Sequence, residues 1–177
     1  MRQGTGASFQ VFDGGNPPGV ETMRQLRRSV ASAVTVVTVA TEHGFRGVTV
    51  SAFCVVSLAP ARVLICLGRQ GDALAAVTSV GRFAVNVLSD SQEFRAEQFA
   101  GRAPLVNPRF DRVKHRISGS GNPILEDSLV WFDCLVQAMH DGGDHVIVVG
   151  DVREAGQGAG ALPLLYFDGT YRELAAE

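Results

Sequence analysis

A run of β-branched and apolar residues interrupted by hydroxyl groups spans residues 47–60 and reads GVTVSAFCVVSLAP. Its composition predicts a strand that ends at Pro60. Because successive side chains of a strand face opposite ways, Thr49 and Ser51 would share one face. Two interpretations follow: an ordinary half-buried strand with Ser57 and the other hydroxyls in water, or a polar shelf where small residues let a flat ligand approach the backbone.

Elsewhere the pattern predicts short strands, turns and a few short helices. Further β-branched or apolar runs that predict strands lie at residues 34–41, 63–67, 82–88, 129–140, 145–152, 163–167 and 170–174. Helical spacing or capping residues occur at 21–30, at 73–80 and from Ser89 onward. Asp72 is expected to cap the second helix and Gly81 to end it, and Ser89 and Gln92 have capping-box spacing. The proline- and glycine-rich segment 101–124 is expected to be irregular.

Turn residues between these runs predict the connectivity of the strands. Three hairpins are predicted to turn at residues 43–44, 142–143 and 168–169. Six or more strands with only short helices favour a mainly β fold, and a closed antiparallel barrel, over alternating βαβ units. The chain of 177 residues is long enough for one buried core and shows no break in composition. We therefore expect one domain over residues 20–177, preceded by a flexible arm at residues 1–19.

Composition and charge argue against several classes of partner. The formal net charge of −2 gives no general electrostatic reason to bind nucleic acid or an acidic membrane. No run approaches the ~18 apolar residues of a membrane span, and the first residues lack the pattern of a secretory signal, so we expect a cytoplasmic protein. Cys54, Cys66 and Cys134 are odd in number and widely spaced in apolar runs, which favours reduced core thiols over a disulfide framework or a metal site.

Few side chains suggest chemistry by themselves. The sequence contains no Gly-x-Ser-x-Gly motif and no cysteine with a histidine beside it, so hydrolysis is weakly supported. His145 follows residues 142–144 at the start of a predicted strand, where it could donate a proton or a hydrogen bond, or simply face water. Arg69 in a turn and Arg109 in a basic loop could each bind a phosphate or simply be solvated.

The order and spacing of nine short motifs point to one family. The motifs are AVTVVT at 33–38, GVTVSAF at 47–53, VSLAP at 56–60, VLICL at 63–67, GRFAVNVL at 81–88, FA at 99–100, RF at 109–110, GDH at 143–145 and LLY at 164–166. In this order they resemble the flavin reductase family, the NAD(P)H:flavin oxidoreductases that supply reduced flavin to two-component monooxygenases. The resemblance extends from Met23 to Tyr171.

The resemblance implies a split antiparallel β-barrel of Greek-key type that binds FMN, or FAD, at the seam of a homodimer. It also implies NADH or NADPH as the hydride donor and a flavin-dependent monooxygenase as the partner that receives reduced flavin. His145 corresponds to the family's histidine near the nicotinamide, in a positioning or protonating role. The positions that the resemblance assigns to cofactor binding are Thr49, Val50, Ser51, Ala52, Ser57, Leu58, Arg69, Phe83, Asn86, Arg109, Tyr166 and Gly169.

One departure from the family concerns the flavin phosphate. Family members usually carry Ser or Thr after the strand at 63–67, where that phosphate is held, whereas residues 69–72 of this chain read RQGD. The choice between FMN and FAD therefore stays open. Two other functions stay open as well: a flavin- or haem-holding split-barrel protein without turnover, and an FMN-retaining oxidase or monooxygenase with its own organic substrate.

Overall fold

Strands make up most of the regular structure in the computed structural model, which describes residues 17–103, 110–159 and 162–174. The strands are β1 (Ser32–Ala33), β2 (Thr35–Thr41), β3 (Gly44–Val50), β4 (Phe53–Leu58), β5 (Ala61–Gly68), β6 (Arg82–Val87), β7 (His115–Ile117), β8 (Pro123–Leu125), β9 (Val130–Gly142), β10 (His145–Gln157), β11 (Leu165–Phe167) and β12 (Thr170–Arg172). The α-helices are α1 (Val20–Arg28), α2 (Asp72–Val80) and α3 (Glu93–Phe99), with 3₁₀ turns at Asp90–Gln92 and Phe110–Arg112. Within these described ranges, every helix is too short or too polar to cross a membrane.

Seven strands form one antiparallel sheet in the order β3-β2-β6-β9-β10-β5-β4. β3 and β4 follow each other in the chain but lie at opposite edges of the sheet, and Ser51 and Ala52 carry the chain across. The carbonyl oxygen of Ala52 accepts a hydrogen bond from Cys66 N at 3.0 Å, which attaches this crossing to β5. The predicted mainly β fold is confirmed, and the open sheet is consistent with a split barrel rather than a fully closed one.

The main core follows the alternation of side chains along the strands. In β5, Val63, Ile65 and Leu67 are buried while the residues between them are partly exposed, as a period of two predicts. They belong to one apolar cluster with Phe83 of β6 and Val77 of α2. Burying an apolar side chain of this size contributes about 1.5–3 kcal/mol. The cluster therefore fixes α2 against the sheet beside the end of β5.

A second apolar cluster attaches α3 to the sheet. Ala96 and Phe99 of α3 pack with Val36 of β2 and with Leu88. The absence of a side chain at Gly47 permits this packing, because a Cβ there would lie 2.6 Å from two ring carbons of Phe99. The helix consequently rests directly on β3.

The structure corrects three predicted elements. The run at 47–60 is two strands rather than one, because the chain leaves the sheet at residues 51–52. Asp72 is the first residue of α2, and Gly71 occupies the N-cap position. Segment 101–124 is not wholly irregular, since β7 pairs with β8 in a short hairpin. Gly81 ends α2 in the left-handed conformation, as predicted, with φ of 71°.

The cysteines only partly match the expectation of core thiols. All three are free: Cys134 is buried, Cys66 is half-buried and Cys54 is exposed on β4. Burial raises the pKa of the Cys134 thiol to about 12 and also raises the pKa of Cys66. Of the flexible arm expected at residues 1–19, residues 1–16 lie outside the described part of the chain.

Candidate functional site

A pocket of about 200 Å³ opens where the end of β3 meets the end of β5 and the first turn of α2. Its walls include residues 48–52 and 66–68, and His145 at the start of β10 completes them. The hydroxyl-bearing run and the histidine, far apart in the sequence, therefore face one cavity. Glycine, alanine and serine are frequent in these walls, so a flat ligand could reach the backbone groups.

The three hydroxyls of the predicted shelf have different surroundings. Thr49 Oγ1 donates a hydrogen bond of 2.6 Å to the carbonyl oxygen of Ala96, which ties β3 to α3 and leaves that oxygen able only to accept another bond. Ser51 is half-buried, and its hydroxyl has no hydrogen-bond partner within the part of the chain that the structure describes. Ser57 lies on the edge strand β4, outside the pocket. Ser51 is therefore the hydroxyl most available to a ligand.

His145 is held from one side of its ring. Nδ1 lies 2.7 Å from Asp144 Oδ1, and this hydrogen bond lowers the pKa of the Asp144 carboxyl. The ionised carboxylate can only accept, so Nδ1 carries the hydrogen. Nε2 has no partner in the part of the chain that the structure describes, and it lies 4.0 Å from the position that a Cβ at Gly68 would occupy. The imidazole thus presents Nε2 beside the end of β5.

Arg69 is engaged by the turn between β9 and β10. Its Nε donates to the carbonyl oxygen of Gly143 at 2.6 Å, and its Nη2 contacts the Asp141 carboxylate. The side chain is absent from the walls of the pocket. The sequence suggested that Arg69 could bind a phosphate, but the structure uses its guanidinium to hold the hairpin that carries His145.

A second compartment of about 200 Å³ adjoins the first and shares Arg27, Thr49 and Ser51 with it. Tyr166 and Tyr171 form part of its wall, with ring centroids 5.4 Å apart and ring planes at 65°. This edge-to-face arrangement is one that aromatic pairs favour. The two compartments together make an elongated cleft with polar groups at its middle.

The Glu97 carboxylate organises one wall of the second compartment. Tyr171 Oη donates to Glu97 Oε1 at 2.5 Å, and Arg102 Nη2 donates to the same oxygen at 2.8 Å. The bond from Tyr171 and the bond and charge of Arg102 lower the pKa of Glu97. Burial and the bond to Glu97 raise the pKa of Tyr171 to about 12. At neutral pH the carboxylate is therefore ionised and the phenol neutral.

The structure brings only part of the predicted cofactor-binding set together. Val50 and Ala52 line the pocket with Thr49 and Ser51, and Tyr166 lines the second compartment. The others lie elsewhere or outside the described residues: Ser57 and Leu58 are on β4, Gly169 is in the β11–β12 turn against Arg28, and Arg109 falls in the undescribed segment 104–109.

Phe83 and Asn86 of β6 are corrections to the predicted set. Both are completely buried. Phe83 fills the space beside Gly150, where an added Cβ would lie 2.6 Å from its ring. Asn86 donates to the carbonyl oxygen of Val36 at 3.0 Å and accepts from Leu125 N at 2.8 Å. Because β6 is a central strand, these side chains serve the core and are not in contact with the cleft.

Sequence reasoning missed several residues of the cleft. Arg27, Cys66, Arg102 and Tyr171 all line it. Helical spacing places Arg27 on the solvent-facing side of the first helix, which is correct. It does not show that this side lies next to the cleft. Tyr171 bonds to Glu97 of α3 and to Arg102, which lie 74 and 69 residues away in the sequence, and no local pattern signals such contacts.

Comparisons with known proteins agree on one family. A family model described as "Flavin reductase like domain" matches residues 26–175. FMN reductase (NADH) RutF 1 of Methylorubrum extorquens is 37% identical over 158 residues, which cover 89% of this chain and 78% of the relative. The flavin-dependent monooxygenase reductase subunit HsaB of Mycobacterium tuberculosis is 32% identical, covering 88% of this chain and 83% of the relative.

A solved structure shares the fold. The NADH:FAD oxidoreductase SgcE6 of Streptomyces globisporus, in complex with NAD and FAD fragments, aligns with a TM-score of 0.80 at 32% identity. The alignment covers 88% of this chain and 92% of that chain. The similarity therefore extends over the strands and helices that form the cleft.

Proposed function

Because the chain belongs to the flavin reductase family, we propose that it transfers a hydride from NADH to a flavin held in the pocket between β3 and β5, and supplies the reduced flavin to a partner monooxygenase. The observation that carries the proposal is the meeting of residues 49–52 and His145 in one pocket. The relative named FMN reductase (NADH) and the SgcE6 complex with NAD and FAD fragments support the two substrates. The monooxygenase reductase subunit HsaB supports the partner.

The pocket residues fit a planar ring with polar edges. The described walls contain no carboxylate, Ser51 offers an unpaired hydroxyl, and Thr49 Oγ1 can still accept a hydrogen bond. A bound flavin supplies a ring that accepts hydride and gains negative charge near its N1 and C2 carbonyl. Backbone N–H donors of residues 49–52 that face this edge would stabilise that charge.

Close approach, more than proton transfer, is what the pocket must provide for hydride transfer. Holding two reactants close together in the correct orientation lowers the activation barrier by about 7–11 kcal/mol. Here His145 lines the pocket, and its Nε2 has no partner among the described residues. Its role is to position the nicotinamide, whose carboxamide N–H can donate to Nε2 of the neutral ring, or, in the protonated ring, to supply a proton from Nε2. Asp144 keeps the ring oriented through Nδ1.

Anaerobic mixing of the purified protein with FMN and NADH tests the proposal. Loss of nicotinamide absorbance that depends on both protein and flavin is expected, and parallel reactions with FAD decide between the two flavins. Flavin binding without loss of nicotinamide absorbance would instead favour a binding protein. Yellow colour kept through desalting, and reduced only by an organic substrate, would favour an oxidase or monooxygenase.

The proposed assembly is a homodimer with flavin at its seam. Val55, Val56 and Leu58 on the edge strand β4 are 46%, 53% and 89% exposed, and exposed apolar edge strands are usually covered. Ser57 and Leu58 lie outside the pocket of their own chain, so they would meet flavin only across such an interface. Sedimentation equilibrium should give twice the chain mass, and Val56→Lys should shift the protein to monomer. A wild-type monomer would contradict the dimer.

The proposed location is the cytoplasm. NADH, the proposed hydride donor, is a cytoplasmic reductant. The three free cysteines support the same location, because thiols stay reduced there. Immunodetection after cell fractionation is expected to find the protein in the cytosolic fraction, and recovery from the medium would contradict this.

A further inference from the structure

Arg27 stands where three cavities of the cleft meet. Its side chain lines the pocket that contains His145, the second compartment, and a small cavity of about 40 Å³ beside Phe167. Ser51 is the other residue common to all three. A group bound at this junction would therefore contact both side chains, whichever compartment holds the rest of the ligand.

Arg27 differs from the arginines around it because its side chain has no partner within the described ranges. Arg24 and Arg28 on the same helix each pair with a carboxylate. Arg102, another cation in the wall of the second compartment, also pairs with a carboxylate. Across the described residues, the Arg27 side chain makes no hydrogen bond or ion pair. Its positive charge at the junction is thus not neutralised by a neighbouring side chain.

The surroundings of the junction suit an anion. The described walls of the two larger compartments contain no Asp or Glu side chain, and Asp168, which lines the small third cavity, is paired with Arg28. A guanidinium presents several N–H donors in a fork that matches the oxygens of a phosphate. The Ser51 hydroxyl, which lacks a partner within the described chain, adds an O–H donor from the opposite element.

We propose that Arg27, together with Ser51, binds a phosphate group of the nucleotide ligand. This inference rests on the proposed function, because a ring seated beside His145 must belong to a nucleotide whose chain leads away from it. The phosphate could belong to the flavin or to the pyrophosphate of NADH, since both carry the same chemistry. Arg69 cannot serve at this point, because the β9–β10 turn engages its guanidinium.

Two comparisons separate the flavin phosphate from the NADH pyrophosphate. In the first, wild type and Arg27→Gln are titrated with FMN and with riboflavin, and binding is followed by flavin fluorescence. Steady-state kinetics with NADH and with phosphate-free 1-benzyl-1,4-dihydronicotinamide completes the comparison. Arg24→Gln is the matched control, because it removes the same charge from α1 outside the cleft. Arg27→Lys keeps the charge without the fork and should recover part of the affinity.

If Arg27 binds a phosphate, its replacement should weaken the binding of phosphate-bearing ligands only. If the flavin phosphate is bound, Arg27→Gln raises the Kd for FMN about tenfold and leaves the Kd for riboflavin unchanged. If the pyrophosphate is bound, the KM for NADH rises by a similar factor while the KM for the benzyl donor is unchanged. Equal effects on phosphate-bearing and phosphate-free ligands, or no effect on either pair, would overturn the inference.

The failure of this inference is distinguishable from failure of the proposed function. A wild-type protein that binds neither FMN nor NADH contradicts both. The other outcome is that the wild-type protein binds FMN and oxidises NADH, while the Arg27→Gln variant has unchanged constants for all four ligands. That outcome contradicts the role of Arg27 but not the proposed function.

Discussion

Arg69 Nε donates a hydrogen bond of 2.6 Å to the carbonyl oxygen of Gly143. A second bond, from Arg69 N to the carbonyl oxygen of Asp144 at 3.1 Å, joins the same two segments. The end of β5, one wall of the pocket, is thereby attached to the turn that leads into His145. The position of the imidazole thus depends on a side chain that does not line the pocket.

Replacing Arg69 should therefore affect turnover more than flavin binding. In Arg69→Gln the turn loses its charged contacts, and an imidazole displaced by about 1 Å should lower kcat roughly tenfold. The Kd for FMN should stay unchanged, because Arg69 is absent from the pocket walls. Arg62→Gln is the matched control, since it breaks a different ion pair, which joins Arg62 of β5 to Asp151 of β10. Equal losses of kcat in the two variants would show only a general effect on the sheet.

His145 itself should contribute to turnover with NADH. His145→Ala removes Nε2 from the pocket and should lower kcat by about a hundredfold, the lower end of the range for a positioned acid or base. The Kd for FMN should change less than the turnover. Stopped-flow measurement of flavin reduction gives both values. His140→Ala, an exposed histidine on the same hairpin, should behave like wild type. Normal reduction by His145→Ala would remove the proposed role.

Glu97 should make stability depend on pH. Its pKa in the folded protein lies below the ordinary 4.5. The stabilisation is therefore fully present above pH 4.5 and is lost as the pH falls through the lowered value. At pH 7, Glu97→Gln should lower Tm by roughly 2–4 °C, the shift expected for about 1 kcal/mol in a chain of this size.

Thermal unfolding at several pH values tests this dependence. The difference in Tm between wild type and Glu97→Gln should shrink at pH values below 4.5. Glu42→Gln, in an exposed turn, should give no such difference at any pH. A Tm gap that stays constant between pH 7 and pH 3 would show that the charge of Glu97 is not responsible.

Adding even a methyl group at Gly47 should destabilise the protein. An added Cβ would meet the Phe99 ring at 2.6 Å, so Gly47→Ala should cost about 1–3 kcal/mol and push α3 off β3. Because Thr49 bonds to Ala96 of α3, the same change should also weaken FMN binding. Combining Gly47→Ala with Phe99→Leu should recover stability in urea unfolding. No recovery would show that the contact with the Phe99 ring is not the cause of the loss.

Local patterns were sufficient to predict the elements but not their places in the sheet. The apolar run at residues 63–67 and the Gly142-Gly143 turn predict a strand and a hairpin that the structure confirms. The break at Ser51 and Ala52 has no such signal, because β-branched and small residues continue on both sides of it. It exists because the chain must cross between two edges of one sheet.

The candidate site could be predicted only where its residues face the cleft from strand ends. Thr49, Ser51 and His145 occupy such positions, and the structure brings them to one pocket. Asn86 lies on a central strand, and its burial follows from sheet order, which a single sequence does not reveal. Arg27 joins the cleft because the end of α1 is attached to the β11–β12 turn, where Asp168 N donates to the carbonyl oxygen of Arg28, and this contact is long-range.

A crystal structure of the protein with FMN bound is the most direct test of the account. The isoalloxazine ring is predicted to lie against residues 49–52, in the pocket that His145 completes, with Ser51 Oγ within hydrogen-bond distance of the ligand. A ring bound elsewhere, such as beside Trp131 in the cavity lined by Arg116 and Ser128, would contradict it.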